Sequence, residues 1–161
     1  MTMLVRRQIL RQFLLLALLV VAGAGSAAPA QLAHFPTATL TIVTASGRHK
    51  FAVEVATTPA QMQQGLMFRQ SLAPDAGMLF DFGAPTMAEM WMKNTLIPLD
   101  MLFVDAKGRI VNIRQRAVPG SLATIAAAAP VRAVIELNGG TAARLDIRPA
   151  DRVIFPIFDR R

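Results

Sequence analysis

From Leu40 to Phe155 the sequence is a succession of strand-length apolar segments, each cut short by Gly, Pro or Asp, and that cadence limits the fold more than any other feature. Leu40-Thr41-Ile42-Val43-Thr44 is β-branched, Ser46-Gly47 is a turn signal, and Phe51, Val53 and Val55 alternate with Ala52, Glu54 and Ala56. Period-two alternation on both sides of a turn predicts a hairpin. Residues 77–80, 89–95, 99–105, 109–115, 131–137 and 152–155 read as further strands, with Ala106-Lys107-Gly108 as a hairpin loop between two of them. Helical signals are short. Thr58-Pro59-Ala60-Gln61 is a capping-box pattern with proline at the first helical position, and Gly65 stands where that helix would stop. Met62 and Leu66, four apart, would share its buried face. Residues 139–144 have the pattern of one more helical turn, and the longest connection, 119–130 with alanine at 126–129, has room for another. Closely spaced strands favour a mainly β fold over a βαβ fold: a compact antiparallel β-sandwich or partly closed, jelly-roll-like barrel with one or two short helices.

The amino-terminal segment follows a different pattern. Arg6, Arg7 and Arg11 precede an uncharged run over 13–24, followed by Gly25-Ser26-Ala27-Ala28-Pro29-Ala30. A helix of about 12 apolar residues spans roughly 18 Å, short of the roughly 30 Å hydrocarbon core. This is the pattern of a secretory signal peptide over residues 1–30, with cleavage before Gln31 and general secretory export favoured over the twin-arginine route. The expected organisation is leader, flexible tail over 31–37, and a single β domain over 38–158, located in the periplasm or outside the cell. Membrane attachment is expected only through the leader if it stays uncleaved.

Without the leader, 14 basic residues stand against 10 acidic ones, and the excess lies in residues 106–161 with 10 basic and 4 acidic. The arginines are spread rather than clustered with aromatics, so nucleic acid is not an expected partner. Zero cysteine excludes disulfides, thiol nucleophiles and cysteine metal sites.

Gly65-Leu66-Met67-Phe68-Arg69, Gly77-Met78-Leu79-Phe80 and the block Trp91-Met92-Lys93-Asn94-Thr95-Leu96-Ile97-Pro98-Leu99-Asp100-Met101-Leu102-Phe103-Val104-Asp105 occur in that order. Gly108-Arg109-Ile110, Ala117-Val118-Pro119 and Val134-Ile135-Glu136-Leu137-Asn138-Gly139-Gly140 follow. Together they resemble the prokaryotic domain of unknown function 192 family, also called uncharacterised protein family 0127, over about residues 38–155. The resemblance implies a small, mainly β domain, often behind a signal peptide or anchor, and no assigned activity or catalytic residue. At one place the pattern departs: Ala150 stands in Pro149-Ala150-Asp151 where the family usually shows glycine, which weakens the expectation of a left-handed turn there.

Three functional readings remain open. The leading one is a binding or accessory module of the cell envelope, without a cofactor. Its groove would be lined by Arg69, Lys93, Asn94, Asp100 and Glu136 with Trp91 as an apolar platform, and would hold a small polar ligand such as a sugar or carboxylate, or an envelope component. Against it stands a purely structural use of the same residues, with Lys93 or Arg69 paired to Asp100 or Glu136. The second reading is copper(I) binding through Met90 and Met92, thioethers being soft ligands, with methionine as core filler the alternative. The third is an envelope glycan hydrolase using paired carboxylates, such as Asp81 with Asp100, since Asp100 and Asp105 would face opposite ways on one strand. No serine-hydrolase elbow occurs, tyrosine is absent and only two histidines are present. The inventory weighs against an enzyme without deciding it.

Overall fold

The computed structural model describes residues 33–158, and the expected leader lies outside the described residues. The elements run β1 (Thr37–Thr44), β2 (Gly47–Ala56), α1 (Pro59–Gln64), β3 (Ala76–Thr86), β4 (Glu89–Met90), β5 (Leu99–Val104), β6 (Ile110–Ala117), β7 (Ile125–Ala126), β8 (Val131–Asn138), α2 (Thr141–Arg144) and β9 (Arg152–Ile154). A 3-10 turn over Pro156–Phe158 follows.

The first hairpin forms as its alternation dictates. β1 and β2 pair antiparallel from Thr37↔Glu54 to Thr44↔Gly47, which places Leu40 opposite Phe51 and buries both. Thr58 then caps α1: its hydroxyl accepts from the Gln61 amide at 3.3 Å, while Gln61 Oε1 accepts from the Thr58 amide at 3.0 Å. The helix ends at Gly65 with φ 47°, where a Cβ would also stand 3.0 Å from Cζ of Phe80. From there the chain crosses to β3, which lies parallel to β2. Parallel neighbours need a crossover connection, and α1 with its flanking turns supplies it. Among the described residues this pair is the one departure from the antiparallel pairing expected.

Seven strands form one sheet in the order β6-β5-β8-β3-β2-β1-β9, and β4 pairs separately with β7. The seven-stranded sheet curls until its ends touch. Arg109 bridges Arg152, Ile110 N–H donates to Asp151 O at 3.0 Å, and Val153 N–H donates to Gly108 O at 2.7 Å. The result is the partly closed barrel. Its strands are apolar on both sides because each face has its own cover. One face gathers Leu40, Val53, Leu79, Leu102, Ile135 and Leu137. The other gathers Met78, Phe80, Met101, Phe103 and Val134 beneath Leu66 and Met92.

Local readings fail where long-range contacts decide. The strand expected over 89–95 stops at Met90, and Thr95 N–H turns back to Met92 O at 3.0 Å while Asn94 takes φ 56°. Met92 is fully buried and its carbonyl also accepts from Gly120 at 3.1 Å, so docking of this side chain overrides the alternation. The helical turn allowed within 119–130 is instead β7, whose Ile125 pairs with Met90. Within the tail expected over 31–37, Phe35 is buried, Pro36 O accepts from Val55 N–H at 2.8 Å, and Ala33 N–H reaches Gln64 Oε1 at 2.7 Å. Ala150 has φ 77°, so the left-handed turn forms with alanine where glycine was expected.

Candidate functional site

Sheet register builds the site. On the second face one row across four neighbouring strands reads Glu54, Met78, Glu136, Met101: Glu54 lies opposite Met78, Met78 opposite Glu136, and Glu136 opposite Met101. Arg114 of β6 continues the row beyond Met101. Glu136 is therefore a carboxyl set between two methionines in the middle of a sheet, with 4% of its surface exposed. Its cross-strand neighbours offer it neither charge nor hydrogen-bond donor. Among the described residues no side-chain hydrogen bond or ion pair to Glu136 is formed, and no side-chain polar atom is both sealed from solvent and without a partner. Its carboxyl thus retains an opening. Burial in apolar surroundings disfavours the charged form and pushes this carboxyl from 4.5 up to about 8.

The opening is a pocket of about 290 Å³. Met62, Gly65, Leu66 and Met67 from α1 and the turn after it form one wall. Met90, Trp91 and Thr95 form another, while Phe80 and Phe82 enter from β3. Glu89 also lines it, and among the described residues no Lys, Arg or His does. Two residues in left-handed conformation hold the walls together: Phe68, at φ 64°, donates its N–H to the carbonyl of Asn94 at 2.9 Å. Asn94 Nδ2 also lies 3.9 Å from the Met67 sulfur. A bulky side chain at positive φ carries strain and persists only where its surroundings impose it. Exposed Phe68, Trp91 and Leu96 stand on these same turns.

Of the six residues expected to line a groove, Trp91 and Glu136 line this pocket and four do other work. Arg69 forms a two-pronged pair with Glu54, at 2.7 and 2.6 Å. Lys93 places its ammonium 5.1 Å from the centroid of the Trp91 ring, in cation–π range. Asn94 joins the walls as described. Asp100 is fully buried, and its oxygens accept from the amides of Arg116 at 2.8 Å, Gly140 at 3.0 Å and Ala142 at 2.7 Å. It ties β5 to β6 and to the start of α2. The structural alternative that paired Lys93 or Arg69 with Asp100 or Glu136 is likewise not what forms.

Met90 lines the pocket, whereas Met92 is buried in the core. Among the described residues no group of three or more His, Cys, Asp or Glu could hold a metal ion. Asp81 pairs with Arg132 at 2.6 Å, and Asp100 is occupied by backbone amides, so these two carboxylates do not form a catalytic dyad. The walls contributed by Met62, Met67, Phe80, Phe82 and Glu89 were not identified as site residues from sequence. Alternation along β3 puts Met78, Phe80 and Phe82 on one face, but only the pairing of β3 with β8 brings that face to Glu136.

The model of the DUF192 family, described as uncharacterized ACR, matches residues 41–155. A crystal structure from Sinorhizobium meliloti, described provisionally as that of a transcription regulator, is 47% identical. It superposes with a TM-score of 0.75 over 78% of this chain and 98% of its own. A protein of unknown function from Novosphingobium aromaticivorans is 45% identical, with a TM-score of 0.75 over 81% of this chain and 94% of its own. No curated protein matches the chain.

Proposed function

The chain belongs to the DUF192 family, and we propose that its β domain is a small-molecule-binding module in which Glu136 anchors a ligand held against Trp91 and the methionine-lined wall. The observation that carries this reading is the Glu136 carboxyl, buried among apolar side chains, without a side-chain partner among the described residues, and open to a pocket. A buried polar group without a partner costs roughly 1–3 kcal/mol, and a ligand that completes its hydrogen bonding offsets that cost. The pocket is at the small end of ligand sites and has their composition: apolar walls and few polar groups that fix orientation. Exposed Phe68, Trp91 and Leu96 beside it offer further contact to the apolar part of a ligand. The leader sequence would deliver this module across the membrane, so its ligand is one met in the cell envelope or outside the cell. Binding, not turnover, is the role proposed.

Trp91 is the only tryptophan in the chain, so its fluorescence reports the pocket directly. Titration with small amphipathic compounds in neutral, cationic and anionic sets should give a saturable spectral change with at least one set. Glu136→Gln should weaken it. No saturable change with any set would refute the reading.

A further inference from the structure

The chemistry of the pocket lining narrows the ligand class, on the reading that the pocket is a ligand site. We infer that the pocket selects an organic cation, an amine or quaternary ammonium with a compact apolar body, and binds its positive centre against Glu136. Three observations lead there. The ionisable residues in the lining are both acidic, Glu89 and Glu136, and among the described residues no basic residue lines the pocket to receive an anion. This lining offers a carboxylate ligand no cationic partner. Gln63, Gln64 and Thr95 add neutral polar groups, while the apolar part of the lining is mainly aromatic and thioether, from Trp91, Phe80, Phe82 and three methionines, which suits alkyl groups and the diffuse charge of an ammonium. Finally, Trp91 brings an indole π surface to the pocket, of the kind that attracts cations, while the Lys93 ammonium stands over the ring 5.1 Å from its centroid.

A cation in this pocket requires the ionised carboxyl. Glu136 is held mainly protonated by burial at neutral pH, so binding displaces its proton and a neighbouring positive charge takes the proton's place. Met78 and Met101 flank Glu136 on β3 and β5, and Glu54 at the β2 end of its row is paired with Arg69. Arg114 at the β6 end is exposed, Glu89 lines the pocket from β4, and Lys93 is engaged over Trp91. Neither His34 nor His49 lines the pocket. Affinity for a cation should therefore rise about tenfold per pH unit below about 8 and level off above it. A neutral ligand accepting a hydrogen bond from the protonated carboxyl would show the opposite trend.

The test uses choline and its uncharged carbon isostere 3,3-dimethylbutanol, titrated into the protein from pH 6 to 9 with Trp91 fluorescence and calorimetry as readouts. The expected result is choline bound at least about tenfold more tightly at pH 8, with its affinity rising with pH, proton release measured in buffers of different ionisation enthalpy, and both effects lost in Glu136→Gln. Equal affinity for the two probes, or affinity that falls as pH rises, would overturn the cation assignment while leaving a binding pocket in place. If neither probe binds but a neutral or anionic compound does, the cation assignment also falls and the binding module stands. If no compound of any class binds, both readings fall together.

Discussion

A buried carboxyl without a side-chain partner leaves a signature in stability that is independent of any ligand. In the unfolded chain Glu136 titrates at its ordinary 4.5, whereas in the fold burial lifts it to about 8. Between these values the native state holds a proton that the unfolded state has released. The sign follows: this contribution to stability is fully present below about 4.5, falls by about 1.4 kcal/mol per unit as pH rises, and is lost above about 8. Across the window the change is about 5 kcal/mol, a large part of the total stability of an ordinary domain. Glu136→Gln keeps the shape of the protonated acid and removes the titration. Urea unfolding of wild type and variant at half-unit steps from pH 4.5 to 9 isolates the effect, because every other group titrates in both proteins and cancels in the difference. The variant should match wild type near pH 4.5 and exceed it by up to about 5 kcal/mol at pH 8. A difference that stays flat with pH would mean that the carboxyl is hydrated or paired, and the argument for a poised anchor would fail.

Three other substitutions test the framework around the pocket. Asp100→Ala removes the acceptor from the buried amide contacts that tie β5 to β6 and α2, and should cost at least about 3 kcal/mol in chemical unfolding; a loss below about 1 kcal/mol would show that the amides find other partners. Ala150→Gly relieves an alanine held at φ 77° and should stabilise the fold by about 0.5–1 kcal/mol once the entropy of glycine is deducted, seen as a raised Tm; destabilisation would contradict the reading. Gly77→Ala would place a Cβ 2.6 Å from the Glu136 carbonyl oxygen and 2.7 Å from Leu137 Cδ2, so it should destabilise by about 1–3 kcal/mol and shift the amide resonances of β8, whereas an unperturbed β8 spectrum would refute the close approach.

Local rules made much of the fold legible. The capping box at Thr58, the stop at Gly65 and the hairpin of β1 with β2 each depend on residues close along the chain, at most from Thr37 to Glu54 in the hairpin, and the structure has them as the sequence implies. The 89–95 segment departs from its alternation because Met92 answers to a distant partner: burial of its side chain, its N–H donated to Ser121 O and the Gly120 N–H donated to its carbonyl outweigh the local pattern. The site divides in the same way. Glu136 and Trp91, expected as a groove-lining acid and its apolar platform, do line the pocket. Asp100 looked equally suitable, yet its oxygens meet amides from residues 116, 140 and 142, contacts that only strand register creates. Phe80, Phe82, Met62 of α1 and Met67 of the turn after it are not legible as pocket walls for the same reason, since the pairing of β3 with β8 and the crossover through α1 bring them to Glu136.

The central claim is that the Glu136 carboxyl is an unpaired, protonated anchor facing a ligand pocket. Its most direct test is the ¹³C resonance of the Glu136 side-chain carboxyl, followed from pH 4 to 10 in the free protein and again with saturating choline. The account predicts a midpoint near 8 in the free protein, moved to lower pH by the bound cation, with Trp91 resonances shifting in the same titration. A midpoint in the ordinary carboxylate range would contradict it, whereas one near 8 that choline leaves unmoved would overturn the cation assignment alone.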